Sequence, residues 1–153
     1  MTSNRFIIAS LIFSILTGCA SAPKYELPAN ASTATVKANL KPVSSRNSST
    51  DVEFKIDNIF YPMFYTSSLK PKEFSPVTIQ ANKPITILYQ NRFVDEVCRI
   101  RINTILEPNK TYTVVDSMSF GKGLFNTGIF ASKYCHFGIM DDQTGKLIGE
   151  YQK

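Results

Sequence analysis

From Asp51 onward the chain repeatedly alternates apolar and polar residues one for one, and this period of two restricts its fold more than any other feature. Val52, Phe54 and Ile56 alternate with Glu53, Lys55 and Asp57. An extended strand turns successive side chains to opposite faces, so such a segment has one buried and one wet face. The same parity recurs in Val77 and Ile79 against Thr78 and Gln80 and, beyond a turn at Ala81-Asn82-Lys83-Pro84, in Ile85, Ile87 and Tyr89, which together predict a hairpin. Cys98, Ile100 and Ile102 alternate with Arg99, Arg101 and Asn103, and the turn Glu107-Pro108-Asn109-Lys110 leads into Tyr112 and Val114. A last pair consists of Cys135, Phe137 and Ile139, the turn Asp141-Asp142-Gln143-Thr144-Gly145, and Leu147 to Tyr151. No segment keeps a 3.6-residue period over three turns. The expectation is an all-β domain over residues 51–153, a single β-sandwich of about six to eight short strands. A chain of 153 residues leaves room for one such domain.

The N-terminus obeys a different logic. One positive charge, Arg5, precedes an apolar run from Phe6 to Leu16 interrupted only by Ser10 and Ser14. Spanning a bilayer as a helix takes about 20 apolar residues, so this run is too short and reads as a signal peptide, residues 1–18. Leu16-Thr17-Gly18-Cys19 resembles the bacterial lipobox, in which the cysteine thiol receives a diacylglycerol and cleavage leaves it as the first residue. Cys19 is thus the expected lipidation site and anchors the protein to a membrane without a spanning helix. Ala20 follows, where an aspartate would act as an inner-membrane retention signal, so the expected location is the outer membrane, facing the periplasm.

Residues 19–50 read as a flexible lipidated tether. Of the thirty-one residues from Ala20 to Thr50, twenty-one are Ala, Ser, Pro, Asn or Thr, which contribute little to a core. As a random coil such a segment holds the domain roughly 30 Å from the bilayer. Thr33 to Leu40, containing Val36, is the one stretch that could dock as an edge strand. The tether also carries a net charge of +3, whereas Asp51 to Lys153 carries only +1 of the overall +5. The basic excess therefore suits anionic head groups, and no nucleic-acid partner is expected.

Parity places Cys98 with Ile100 and Ile102, and Cys135 with Phe137 and Ile139, so both thiols should face the core. In an oxidising compartment that arrangement favours a Cys98–Cys135 disulfide. The competing readings are a redox centre and a metal site with His136 as third ligand. Redox motifs keep their cysteines close, and His136 has the opposite parity to Cys135.

Cys98, the Leu106-Glu107-Pro108-Asn109-Lys110 segment before Tyr112, Cys135 and Asp142-Gln143-Thr144-Gly145 resemble a pattern found in small bacterial envelope lipoproteins. In these a cysteine, a Pro-x-Lys-x-Tyr turn into a strand, and a second cysteine precede Asp-x-Thr-Gly. The resemblance implies a transthyretin-like, Ig-like or PEGA-like sandwich and speaks to fold more than to activity. Asp57-Asn58 stands where the PEGA-like pattern has Asp-Gly.

No Gly-x-Ser-x-Gly, His-Glu-x-x-His or Ser-x-x-Lys motif accompanies His136, which reads as a surface histidine. Gly121-Lys122-Gly123 lacks the Ser or Thr of a phosphate loop, and Asp141-Asp142 offers too few oxygens for calcium. No catalytic residue, metal or cofactor is expected. Two aromatic segments that read as lying between strands are candidate partner contacts: Phe60, Tyr61, Phe64 and Tyr65 in the first, Phe120, Leu124 and Phe125 in the second. The expected role is binding or scaffolding of another envelope protein. The alternative is inhibition of a wall-degrading enzyme such as lysozyme.

Overall fold

The alternation becomes strands wherever the chain is described. The computed structural model describes residues 22–41, 48–68, 74–93, 96–117 and 136–152. These form ten strands: β1 (Thr33–Asn39), β2 (Ser49–Ile56), β3 (Ile59–Ser67), β4 (Val77–Gln80), β5 (Pro84–Phe93), β6 (Glu96–Ile105), β7 (Thr111–Ser117), β8 (His136–Asp141), β9 (Leu147–Ile148) and β10 (Glu150–Gln152). They make two five-stranded sheets, one in the order β4-β1-β7-β8-β9 and the other in the order β10-β6-β5-β2-β3. The inward residues of both contribute to one core, as period two requires: Val36, Ile79, Tyr112, Val114, Phe137 and Ile139 from the first, Val52, Phe54, Ile87, Tyr89, Ile100 and Ile102 from the second. Tyr89 stacks on Phe137 across the core, ring centroids 4.5 Å apart. The fold is an all-β sandwich, and among the described residues no helix is long and apolar enough to cross a membrane.

Within the segment expected as tether, the stretch that could dock as an edge strand is β1. This strand is interior, paired antiparallel with β4 and parallel with β7, and it buries Ala34 and Val36. The N-terminal segment also packs: Tyr25 meets Phe54 edge-on at 4.9 Å and Tyr61 at 5.1 Å, and its hydroxyl accepts from the Gln80 N–H. Folded structure therefore begins by Tyr25, six residues after Cys19, and β2 starts at Ser49 rather than Asp51. Ala34 is a weak strand former whose burial comes from its neighbours in space.

Two connections also differ from expectation. The predicted hairpin of Val77–Gln80 with Ile85–Tyr89 does not form, because β4 belongs to one sheet and β5 to the other. The crossing is held by the Ala81 N–H on the Ser32 carbonyl and the Asn82 N–H on the Leu106 carbonyl, with Asn82 at φ 58°. Likewise Leu147 to Tyr151 is two strands, β9 on β8 and β10 on β6. Gly149 makes the switch at φ 92°, where a Cβ would strike the Ile102 side chain. The turn before β7 is closed by the Tyr112 hydroxyl, which accepts the Glu107 N–H at 2.9 Å, a tyrosine-corner arrangement.

Candidate functional site

The first aromatic segment lies on an edge strand rather than between strands, which corrects its expected placement. Asp57 and Asn58, at φ 50° and 66°, form a two-residue turn of the kind that matches strand twist, and β3 returns along β2 as the outermost strand of its sheet. Its register shifts between Val52 and Glu53, leaving Met63 as the extra residue of a bulge. The bulge separates the four aromatics by face. Phe64 is buried at 4% exposure and meets Phe74 edge-on, while Tyr61 packs on Phe54 and Tyr25. Phe64 is thus a core residue rather than a surface contact, and Tyr61 is half-buried against the core. Phe60 and Tyr65 stand on the outer face, 40% and 51% exposed, and Ile59 beside them is also exposed.

Charge flanks this pair. Lys55, opposite Phe60, places its ammonium 5.6 Å over that ring, and Asp51 lies opposite Tyr65. Burial pushes the Asp51 carboxyl above its usual value, opposed by the Arg92 guanidinium. The edge thus presents two aromatic rings between a cation and an anion. Pro62 lies between them on the unpaired edge, where its missing N–H interrupts no ladder.

A buried polar cluster occupies the end of the sandwich where β2 begins. The Tyr89 hydroxyl donates to Asp116 Oδ2 at 2.9 Å, the Lys41 N–H donates to Asp116 Oδ1 at 2.7 Å, and Asn91 Nδ2 donates to Thr50 Oγ1 at 2.8 Å. Burial raises the Asp116 carboxyl above its usual value despite these donors. Burial and the neighbouring Asp116 charge raise the Tyr89 phenol as well. The cluster ties the end of β1 to β7 and β5, and every group in it is satisfied from within. Its chemistry is structural.

At the other end, residues of β5 and β6 with Gly149 and Glu150 line an open groove of about 600 Å³, into which Ile105 is exposed. Sequence reasoning missed it; its signal was a glycine inside an apparent strand. Cys98 faces inward with Ile100, half-buried against the core. His136, expected on the surface, is half-buried at the start of β8. Cys19, Cys135, Phe120, Leu124 and Phe125 lie outside the described residues. Among the described residues no three His, Cys, Asp or Glu side chains gather as a metal site would require.

Comparison with protein-family models, with curated proteins and with solved structures finds no match for this chain.

Proposed function

We propose that the chain is a lipid-anchored, non-catalytic binding or scaffolding module of the bacterial envelope, held to the outer membrane through Cys19 and facing the periplasm. The anchor rests on Leu16-Thr17-Gly18-Cys19, and the contact role on one observation, the exposed Phe60 and Tyr65 on the open edge of the sandwich. Aromatic side chains offer large contact area at low entropy cost, which suits a protein partner. Cys98 pairs with Cys135 in this reading, because Phe137 and Ile139, in phase with Cys135, are buried. The expected result of metabolic labelling with a palmitate analogue is incorporation into the parent protein and none into Cys19→Ser. Equal labelling of both would remove the anchor, and with it the assignment to the envelope surface.

A further inference from the structure

Three polar side chains stand in one row on the outer face of the second sheet, on three neighbouring strands. Asn103 of β6 lies opposite both Thr86 of β5 and Glu150 of β10, and directly opposed residues share a face. Ile102 and Ile87, next to them in sequence, are buried, so the row points outward. It lines the groove of about 600 Å³ together with an apolar pair, Ile105 opposite Pro84. Gly149, whose position leaves no room for a Cβ against the Ile102 side chain, keeps the chain flush with β6 where it enters β10. The row has a fixed hydrogen-bonding sense. The Thr86 hydroxyl donates to Asn103 Oδ1 at 2.8 Å, which leaves lone pairs on Thr86 Oγ1 and both protons on Asn103 Nδ2. Glu150 makes no ion pair among the described residues and offers acceptors alone. Over two strand spacings, about 10 Å, the row therefore reads acceptor, donor, acceptor. Lys55 follows in the same row, opposite Thr86, but its ammonium sits over the Phe60 ring on the far side of β2. Arg101, the next outward residue of β6, lies opposite Leu88. Neither lines the groove, whose one charged residue is Glu150.

We infer that this groove is a saccharide-binding site, which takes a neutral sugar carrying an acetamido group. Such a group holds a donor N–H, an acceptor C=O and a methyl on one flat unit. Its N–H donates to the Glu150 carboxylate, its carbonyl accepts from Asn103 Nδ2, and its methyl lies on Ile105, which is 57% exposed, and Pro84. A ring hydroxyl donates to Thr86 Oγ1. A few convergent polar groups beside an apolar surface are the usual make-up of a ligand site. An anionic sugar meets the Glu150 charge, and an ammonium meets the amide protons of Asn103, so a neutral ligand fits both. A peptide also carries amides, but an extended peptide adds along a sheet edge through main-chain hydrogen bonds. Here the row runs across the strands, on a face whose main-chain groups are engaged in the ladders on either side of β6. The site is separate from the β3 edge and does not depend on lipidation.

The test is titration of the full-length protein, in a detergent without a sugar head group, with the trimer of N-acetylglucosamine. Saturable binding is expected, with a shift of the Asn103 side-chain amide resonances in the NMR spectrum. The glucose trimer, which has a hydroxyl in place of each acetamido group, should bind at least tenfold more weakly. Asn103→Ala and Ile105→Ser should each weaken binding of the acetylated trimer at least tenfold while leaving the melting temperature within a few degrees. If Asn103→Ala fails to fold, the exposed Ile105 and the shift of the Asn103 resonances in the parent stand as the test. Absence of saturable binding overturns the inference. So does equal affinity for the glucose trimer, or a folded Asn103→Ala or Ile105→Ser protein that binds as the parent does. Tighter binding of the glucosamine trimer would assign the groove to a cation, and equal binding of N-acetyl-alanyl-alanine would assign it to a peptide; either result likewise overturns it.

Discussion

Asp116 and Asp141 sit on the paired strands β7 and β8, and their surroundings drive them in opposite directions. Asp116 is pushed up, first by burial, and the Lys41 N–H and Tyr89 hydroxyl only partly counter this. Burial also works against the Asp141 anion, but the Lys110 ammonium at 3.1 Å and the N–H groups of Thr144 and Gln143 outweigh it and hold that carboxyl below its usual value. Folded protein therefore holds the Asp116 proton more tightly than the unfolded chain does. Stability falls as pH rises from the usual carboxylate range, near 4, through the raised Asp116 value. Asp51, also raised by burial, adds to the same slope. For Asp141 the sign reverses: its contribution is complete above the usual range and is lost as pH falls through its depressed value. Denaturant unfolding of Asp116→Asn should show a smaller loss of stability on the neutral side than the parent, because an amide can still accept one donor and offer the other a partner. Asp141→Asn should lower stability at pH 7 and flatten the acid limb. Asp116→Ala, which leaves a buried donor unmatched, should cost about 1–3 kcal/mol. A parent and an Asp116→Asn protein with identical pH profiles would contradict the assignment.

At the scale of the element, β1 separates two pictures of the N-terminal half. A flexible tether would expose the backbone around Lys37 to proteases. In the sheet the Lys37 side chain is exposed, but its backbone is paired with β7. Native protein treated with trypsin should therefore remain uncut after Lys37 until it unfolds, as mass spectrometry of the fragments would show. Val36 is fully enclosed by both sheets. Val36→Asp should abolish the folded domain or cost several kcal/mol, since it buries an unpaired charge. A tether would tolerate the change without loss of melting temperature. β2, β5, β6 and β7 were legible because Val52-Phe54-Ile56, Ile85-Ile87-Tyr89, Ile100-Ile102 and Tyr112-Val114 carry bulky inward residues at strict alternation. β1 was legible only as a stretch that could dock at an edge; its interior place was not, because Ala34 and Thr35 differ little in size or polarity and a weak pattern gives no sign of a strand on either side.

Over the whole molecule, the anchor and the cross-link set where the domain sits and how it holds together. Six residues from Cys19 to Tyr25 reach at most about 20 Å when fully extended, so a lipidated Cys19 would hold the sandwich close to the bilayer. A Cys98–Cys135 bond would close a loop of about 38 residues, worth at most about 4 kcal/mol by the chain-entropy model. Peptide mapping without reduction should recover these two cysteines together, and reduction should lower the melting temperature. Recovery of Cys98 with any other cysteine would redraw the pairing. The class of fold and the inward set of most strands were legible in the residues alone, because period two is a local property that each strand carries in its own residues. The sequence also supplied the turn at Glu107-Pro108-Asn109-Lys110, where Asn109 takes a positive φ. Which strands share a sheet was decided by the tertiary structure alone. Val77–Gln80 and Ile85–Tyr89 look like hairpin partners in sequence, yet β4 pairs with β1 while β5 pairs with β2 and β6. The parity of Phe60 and Tyr65 was decided there as well, since a bulge exists only in the mismatch between two paired strands and leaves no mark on either one alone.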